Sequence, residues 1–104
     1  MMMPKLTLVV ALFVHPGRKA EFDEFEGRAA DIMRRHGGCI ERRIAIAGAD
    51  PTEPDEVHVV TFPDQDALDR YQQDPELVAL AHVRARTIRR TIVWRGATTA
   101  QFPP

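Results

Sequence analysis

The chain contains no serine at all. A serine nucleophile and its Gly-x-Ser-x-Gly turn are therefore excluded. It has one cysteine, Cys39, so no internal disulfide can form, and a reducing cytoplasm is the expected compartment. Cys39 follows Gly37-Gly38 and is expected as a small buried apolar residue rather than a nucleophile. Charge of one sign is lacking too. The net charge is −1, with no basic excess to neutralise a nucleic-acid backbone. Arg84, Arg86, Arg89, Arg90 and Arg95 do cluster, and they are read as solvated or cross-paired side chains rather than a phosphate site. The apolar run Leu6 to Val14 is too short to span a bilayer. Little positive charge precedes it and no small-residue cleavage pattern follows, so it is expected to be a strand and not a signal peptide, with no membrane partner. The four histidines fall in no metal-ligand spacing and no Gly-x-Gly-x-x-Gly occurs. Neither a metal nor a dinucleotide cofactor is expected.

What is present is ordinary for a globular chain. Hydrophobic residues make up 44% and charged residues 28% of 104 residues, which suits one domain over 1–104 with its core between about 6 and 95. Leu6–Val14 is apolar at nearly every position, as in a strand covered on both faces, and His15-Pro16-Gly17 breaks it. From Arg18 to His36, Phe22, Phe25, Ala29, Ile32 and Met33 recur at spacings of three and four, which predicts a helix ended by Gly37-Gly38. Ile40 to Ile46 reads as a second strand, with Ile40, Ile44 and Ile46 on one face. A polar loop runs from Gly48 to Asp55, and Glu56 to Phe62 is a third strand. Asp64 is placed to cap a helix through Ala67, Leu68 and Tyr71. Asp74-Pro75 breaks and restarts that helix. Thr87 to Arg95 is a fourth strand with Ile88, Ile92 and Trp94 on one face, and 97–104 is an irregular tail. The order β-α-β-β-α-β is that of the split βαβ unit, an α+β ferredoxin-like fold with a four-stranded antiparallel sheet. Two helices on one face leave the other face bare, and a second copy of the chain would cover it.

Three stretches carry a family resemblance: Pro16 to Phe25, His36-Gly37-Gly38-Cys39-Ile40, and Val59 to Asp64 through Ala67, Tyr71 and Asp74-Pro75-Glu76. In these the chain resembles the dimeric α+β barrel superfamily, and most of all the antibiotic biosynthesis monooxygenase group. The resemblance implies a homodimer with no bound cofactor. It implies a small-molecule ligand in the dimer cleft, and a cofactor-free monooxygenase or isomerase acting on an aromatic or enolisable compound. In that group a polar residue and an aromatic four positions later on the third strand look into the cleft. His58 and Phe62 match these positions, although the family often has Asn and Trp there. The resemblance also implies a basic residue near His82, Arg84 or Arg86. The expected catalytic pair is His58 and Arg86, with Phe62, Tyr71, His82, Phe13 and Trp94 as substrate-binding residues. Several have a plainer alternative: a histidine satisfied by its neighbours for His58, a solvated helix surface for His82 and Arg86, an amphipathic core residue for Tyr71, and a core or dimer contact for Trp94. A ligand-binding or stress-response protein without turnover stays open as a reading. So does haem binding or breakdown through an axial His58 or His82.

Overall fold

The computed structural model describes residues 5–48 and 50–102. Met1 to Pro4, Ala49 of the polar loop and the last two tail residues lie outside them. A nine-residue apolar stretch with many β-branched and large side chains pairs on both sides, and so becomes strand β1, Leu6–Val14, in the middle of the sheet. Gly17, at φ +78°, makes the turn that follows. Helix α1, Lys19–Arg35, buries Phe22, Phe25, Glu26, Ala29, Ile32 and Met33 along one stripe. Gly37, at φ +79°, ends the helix. Gly38 then passes so close to the core that an added Cβ would sit 2.4 Å from the Phe62 ring and 2.6 Å from Met33.

Strands β2, Cys39–Ala45, and β3, Glu56–Phe62, follow. The second helical region is three short helices: α2, Gln65–Gln72; α3, Pro75–Ala79; and α4, Ala81–Thr87. Asp64 caps α2 through Oδ1, which accepts from the Ala67 N–H at 2.8 Å, and Asp74 caps α3 through the Glu76 N–H at 2.9 Å. Strand β4, Ile88–Gly96, completes an antiparallel sheet of order β2-β3-β1-β4. This is the expected α+β ferredoxin-like architecture.

Leu8, Leu12, Val14, Val60, Phe62 and Ile88 face the helices, where they form two apolar clusters with residues of α1 and α2. Burying Phe22 and Phe62 almost completely contributes about 1.5–3 kcal/mol each. The other sheet face carries no helix, although tail residues Thr98 to Gln101 line a recess with Thr7 and Thr61 at one end of it. Val9 pairs with Val59 and Trp94, Ala11 with Val57 and Ile92, and Ile44 and Trp94 stand 40% and 55% exposed.

Two irregularities change the expected faces. A register shift between Ile40 and Arg42 turns β2 over, so Ile40 faces the helices while Ile44 lies on the open face. Ile46 lies beyond the end of β2, its N–H donating to Asp55 O. A second shift between Phe13 and Val14 does the same at the start of β4. Ile88 therefore faces the helices, and Ile92 and Trp94 face the other way. Thr87 ends α4 instead of starting the strand, with its hydroxyl donating to Val83 O at 3.0 Å. Cys39 is exposed, not buried, because it opens the edge strand on the uncovered face, paired with Thr61. No helix among the described residues is long and apolar enough to cross a membrane.

Candidate functional site

Alternation along β3 sends Glu56, His58, Val60 and Phe62 to the helix side. There the last three meet a cavity of about 450 Å³ walled largely by apolar side chains of β1, β3, α1 and the short helices. Glu26, His58, Tyr71 and Arg84 are its ionisable lining residues. The cavity lies between sheet and helices of one chain, not at the open face where two chains would meet. The expected placement in a dimer cleft is corrected accordingly.

His58 is 2% exposed. Its Nε2 lies 2.8 Å from Glu56 Oε1, and its Nδ1 lies 3.7 Å from Glu26 Oε2. Glu56 is held by cations as well. Arg43, directly across the ladder from His58, donates through Nε at 2.8 Å and Nη2 at 3.0 Å, and Lys19 Nζ is 3.0 Å away. Burial alone would raise the Glu56 carboxyl, but the hydrogen bonds from Arg43, His58 and Lys19 outweigh it and hold the group at about 2. A carboxylate only accepts, so Nε2 of His58 carries the proton and Nδ1 keeps a lone pair. Burial lowers the His58 pKa, with Glu56 opposing, so the ring is neutral and basic at ordinary pH.

Glu26 sits on the buried stripe of α1, four residues after Phe22 and three before Ala29. It is 8% exposed, and burial pushes its carboxyl up to about 7 against the pull of Arg43. Its side chain makes no hydrogen bond to a described residue. The Tyr71 ring packs 5.5 Å from Phe62, and burial together with Glu26 pushes its hydroxyl to about 12. Arg84 reaches the cavity with Nη2 donating to Thr91 Oγ1 at 2.9 Å.

Of the residues expected at the site, His58, Phe62 and Tyr71 do converge on the cavity. Arg86 and His82 do not. Arg86 turns to the protein exterior, where its Nε donates to Glu21 at 2.9 Å, and His82 is exposed. Residues 82 and 86 share one face of α4, and Arg84, two positions from each, points to the other. Phe13 and Trp94 are likewise elsewhere, on the open face of the sheet. Phe13 lies there under the guanidinium groups of Arg89 and Arg90, at 5.1 and 5.3 Å from the ring centre. Sequence reasoning missed Glu26, Glu56 and Arg43. Glu26 had a usable signal in its spacing on the apolar stripe, and Glu56 in its two-residue offset from His58.

The haem reading does not fit this geometry. Both His58 nitrogens face carboxylates, and His82 lies outside the cavity. Among the described residues, no group of three or more His, Cys, Asp or Glu side chains is arranged to hold a metal ion.

No protein-family model matches the chain, and no curated protein matches it. Solved structures do. SnoaB of Streptomyces nogalater, a cofactor-independent oxygenase, is 20% identical with TM-score 0.73, covering 98% of this chain and 100% of that one. A dabb family protein with a ferredoxin-like fold from Mesorhizobium loti is 17% identical with TM-score 0.68, over 94% and 100%. A dimeric ferredoxin-like protein of unknown function from Thermobifida fusca is 11% identical with TM-score 0.68, over 91% and 92%. At such identities the likeness is one of fold. The chain has a ferredoxin-like α+β fold similar to the folds of these proteins.

Proposed function

We propose that the chain is a cofactor-free enzyme, a monooxygenase or isomerase, that binds a small aromatic or enolisable molecule in the cavity between sheet and helices. The observation that carries this reading is His58. It is a buried, neutral imidazole whose Nε2–H is fixed by Glu56 and whose Nδ1 lone pair is free to take a proton at the wall of an apolar pocket. Phe62 and Tyr71 supply flat apolar surface for a ring. Arg84 takes the part expected of Arg86, stabilising the phenolate or enolate that deprotonation leaves. An electron-rich phenolate can then reduce dioxygen itself. One oxygen atom bonds to the ring, the other leaves as water, and the phenol becomes a quinone. The shared fold of SnoaB, a cofactor-independent oxygenase, supports considering this route. The functional unit is proposed to be a homodimer formed through the open sheet face, so that each cavity lies behind the interface.

The test is His58→Ala, assayed against a panel of hydroquinones and enolisable ketones by oxygen uptake and product absorbance. Turnover should drop about 100-fold or more, with a lower melting temperature, since a buried ring that holds Glu56 is lost, but with the far-UV circular dichroism of a folded chain. Turnover unchanged in a folded variant would remove His58 from the chemistry. Ligands that raise the melting temperature without any product would make the chain a binding module instead.

A further inference from the structure

We infer that Glu26 and His58 work as one proton-sharing pair, and that the reaction they serve is a redox-neutral tautomerisation of an anionic, enolisable aromatic molecule. The inference rests on the cavity reading above and chooses between its two reaction classes.

The geometry carries the choice. Glu26 and His58 both line the cavity, on opposite elements, with Oε2 and Nδ1 3.7 Å apart. That gap is too long for a direct hydrogen bond and short enough for a bound ligand atom to bridge. The Glu26 carboxyl makes no hydrogen bond to a described side chain, yet no buried side-chain polar atom among the described residues is left without a partner, so its oxygens are open to the cavity they line. Behind His58 the chain of contacts is closed. Glu56 fixes Nε2–H and is itself fixed by Arg43 and Lys19, with Asp23 beyond them. Glu56 is thus a positioning residue, and the two groups left to exchange protons inside the pocket are His58 Nδ1 and the Glu26 carboxyl. Arg84 is the cation at the pocket wall, close enough to register on both Glu26 and Tyr71. The pocket therefore offers a base, an acid, a cation and flat apolar walls.

These suffice for a balanced step. His58 Nδ1 takes a proton from the carbon beside a carbonyl. The C–H electron pair moves into the new C=C bond, and the carbonyl π pair moves onto oxygen. The Glu26 carboxylic acid delivers its proton to that oxygen to give the enol, and His58 returns its proton to the Glu26 carboxylate. Nothing is oxidised or reduced, and no co-reactant is consumed. Arg84 holds the substrate's anionic group. The active protonation state pairs neutral His58 with protonated Glu26. The groups setting it are Lys19 and Asp23 on α1, Arg43 on β2, Glu56 on β3, Tyr71 on α2 and Arg84 on α4.

Phenylpyruvate has the required parts, namely a ring, a carboxylate and an acidic methylene beside a ketone, and serves as the probe. Proton NMR in D2O follows loss of its methylene hydrogens, and thermal unfolding with and without phenylpyruvate reads binding. The parent protein should raise the melting temperature with the probe and speed the exchange well above buffer. Glu26→Gln should keep the melting-temperature rise, lose at least tenfold in exchange, and lose the limb of the pH profile near 7. Glu26→Asp should restore part of the rate. Exchange that is fast in the parent and unchanged in Glu26→Gln overturns the role of Glu26. A melting-temperature rise with no faster exchange, and with oxygen consumed on hydroquinones, overturns the tautomerase inference while sparing the oxygenase reading. No rise and no exchange defeat the cavity reading itself, and the inference with it.

Discussion

At Glu26 the folded state prefers the protonated acid. Its pKa rises from 4.5 in an unfolded chain to about 7 in the fold, because burial penalises the carboxylate. Between these two values the folded chain binds more protons than the unfolded one, so stability falls as pH rises through the window, by on the order of 3 kcal/mol in all. Glu26→Gln should remove that slope and be more stable than the parent above pH 7, as urea midpoints measured from pH 5 to 8 would show. Equal slopes in the two proteins would mean that the carboxyl is better solvated than its burial implies. Glu56 works in the opposite sense. Held at about 2 by Arg43, His58 and Lys19, it contributes stability that is present above 4.5 and is lost as pH falls toward 2. His58 and Phe62 were legible because strand alternation is a strict period of two. Glu26 was not, since an acidic residue on an amphipathic helix is ordinarily assigned to solvent. Only its spacing from Phe22 and Ala29 argues otherwise.

The elements themselves follow local chemistry closely. Proline and glycine end β1, glycine ends α1, and aspartates at 64 and 74 start two helices. Strand order and helix placement were therefore readable. The faces of β2 and β4 were not, because one extra residue at each bulge inverts every side chain beyond it, and no residue type announces the bulge. Gly38 illustrates packing at a junction of elements. A methyl there would strike the Phe62 ring and Met33, both buried in the same cluster. Gly38→Ala should cost about 1–3 kcal/mol and lower the melting temperature by several degrees. An unchanged melting temperature would show that the α1–β2 turn shifts freely. The short helix α3 buries no residue, yet Leu77 and Val78 close one side of the cavity. Its hold is Asp74, which caps it and also meets His36 Nε2 at 2.7 Å. Asp74→Ala should lower global stability by about 1 kcal/mol and raise amide exchange in α3 more than in α1. Uniform exchange across both helices would place the cap's effect elsewhere.

For the whole molecule, the sheet has one face under helices and one face without helices. Val9, Ile44 and Trp94 stand on the latter, with Val57, Val59 and Ile92 among them. Exposed apolar side chains grouped on one face, with Arg42 beside Val59, are costly in water and favour burial against a partner. A second copy presents the same surface by two-fold symmetry. The helix-free sheet face was legible from the two-helices-on-one-face topology. The seat of the cavity was not, since it depends on the breaks at Asp74-Pro75 and Leu80 that leave the short helices standing off the sheet. In solution the chain should run at twice 11.7 kDa. Placing a carboxylate on each edge strand of this face tests this without touching the core. Trp94→Glu with Ile44→Glu puts two unpaired charges on each copy, and like charges would face each other across the two-fold axis. Light scattering on a sizing column should then read a monomer, with far-UV circular dichroism unchanged. A dimer that survives both substitutions would place the interface on another surface. It would also free the open face, and Phe13 beneath its two arginines, for a role other than self-association.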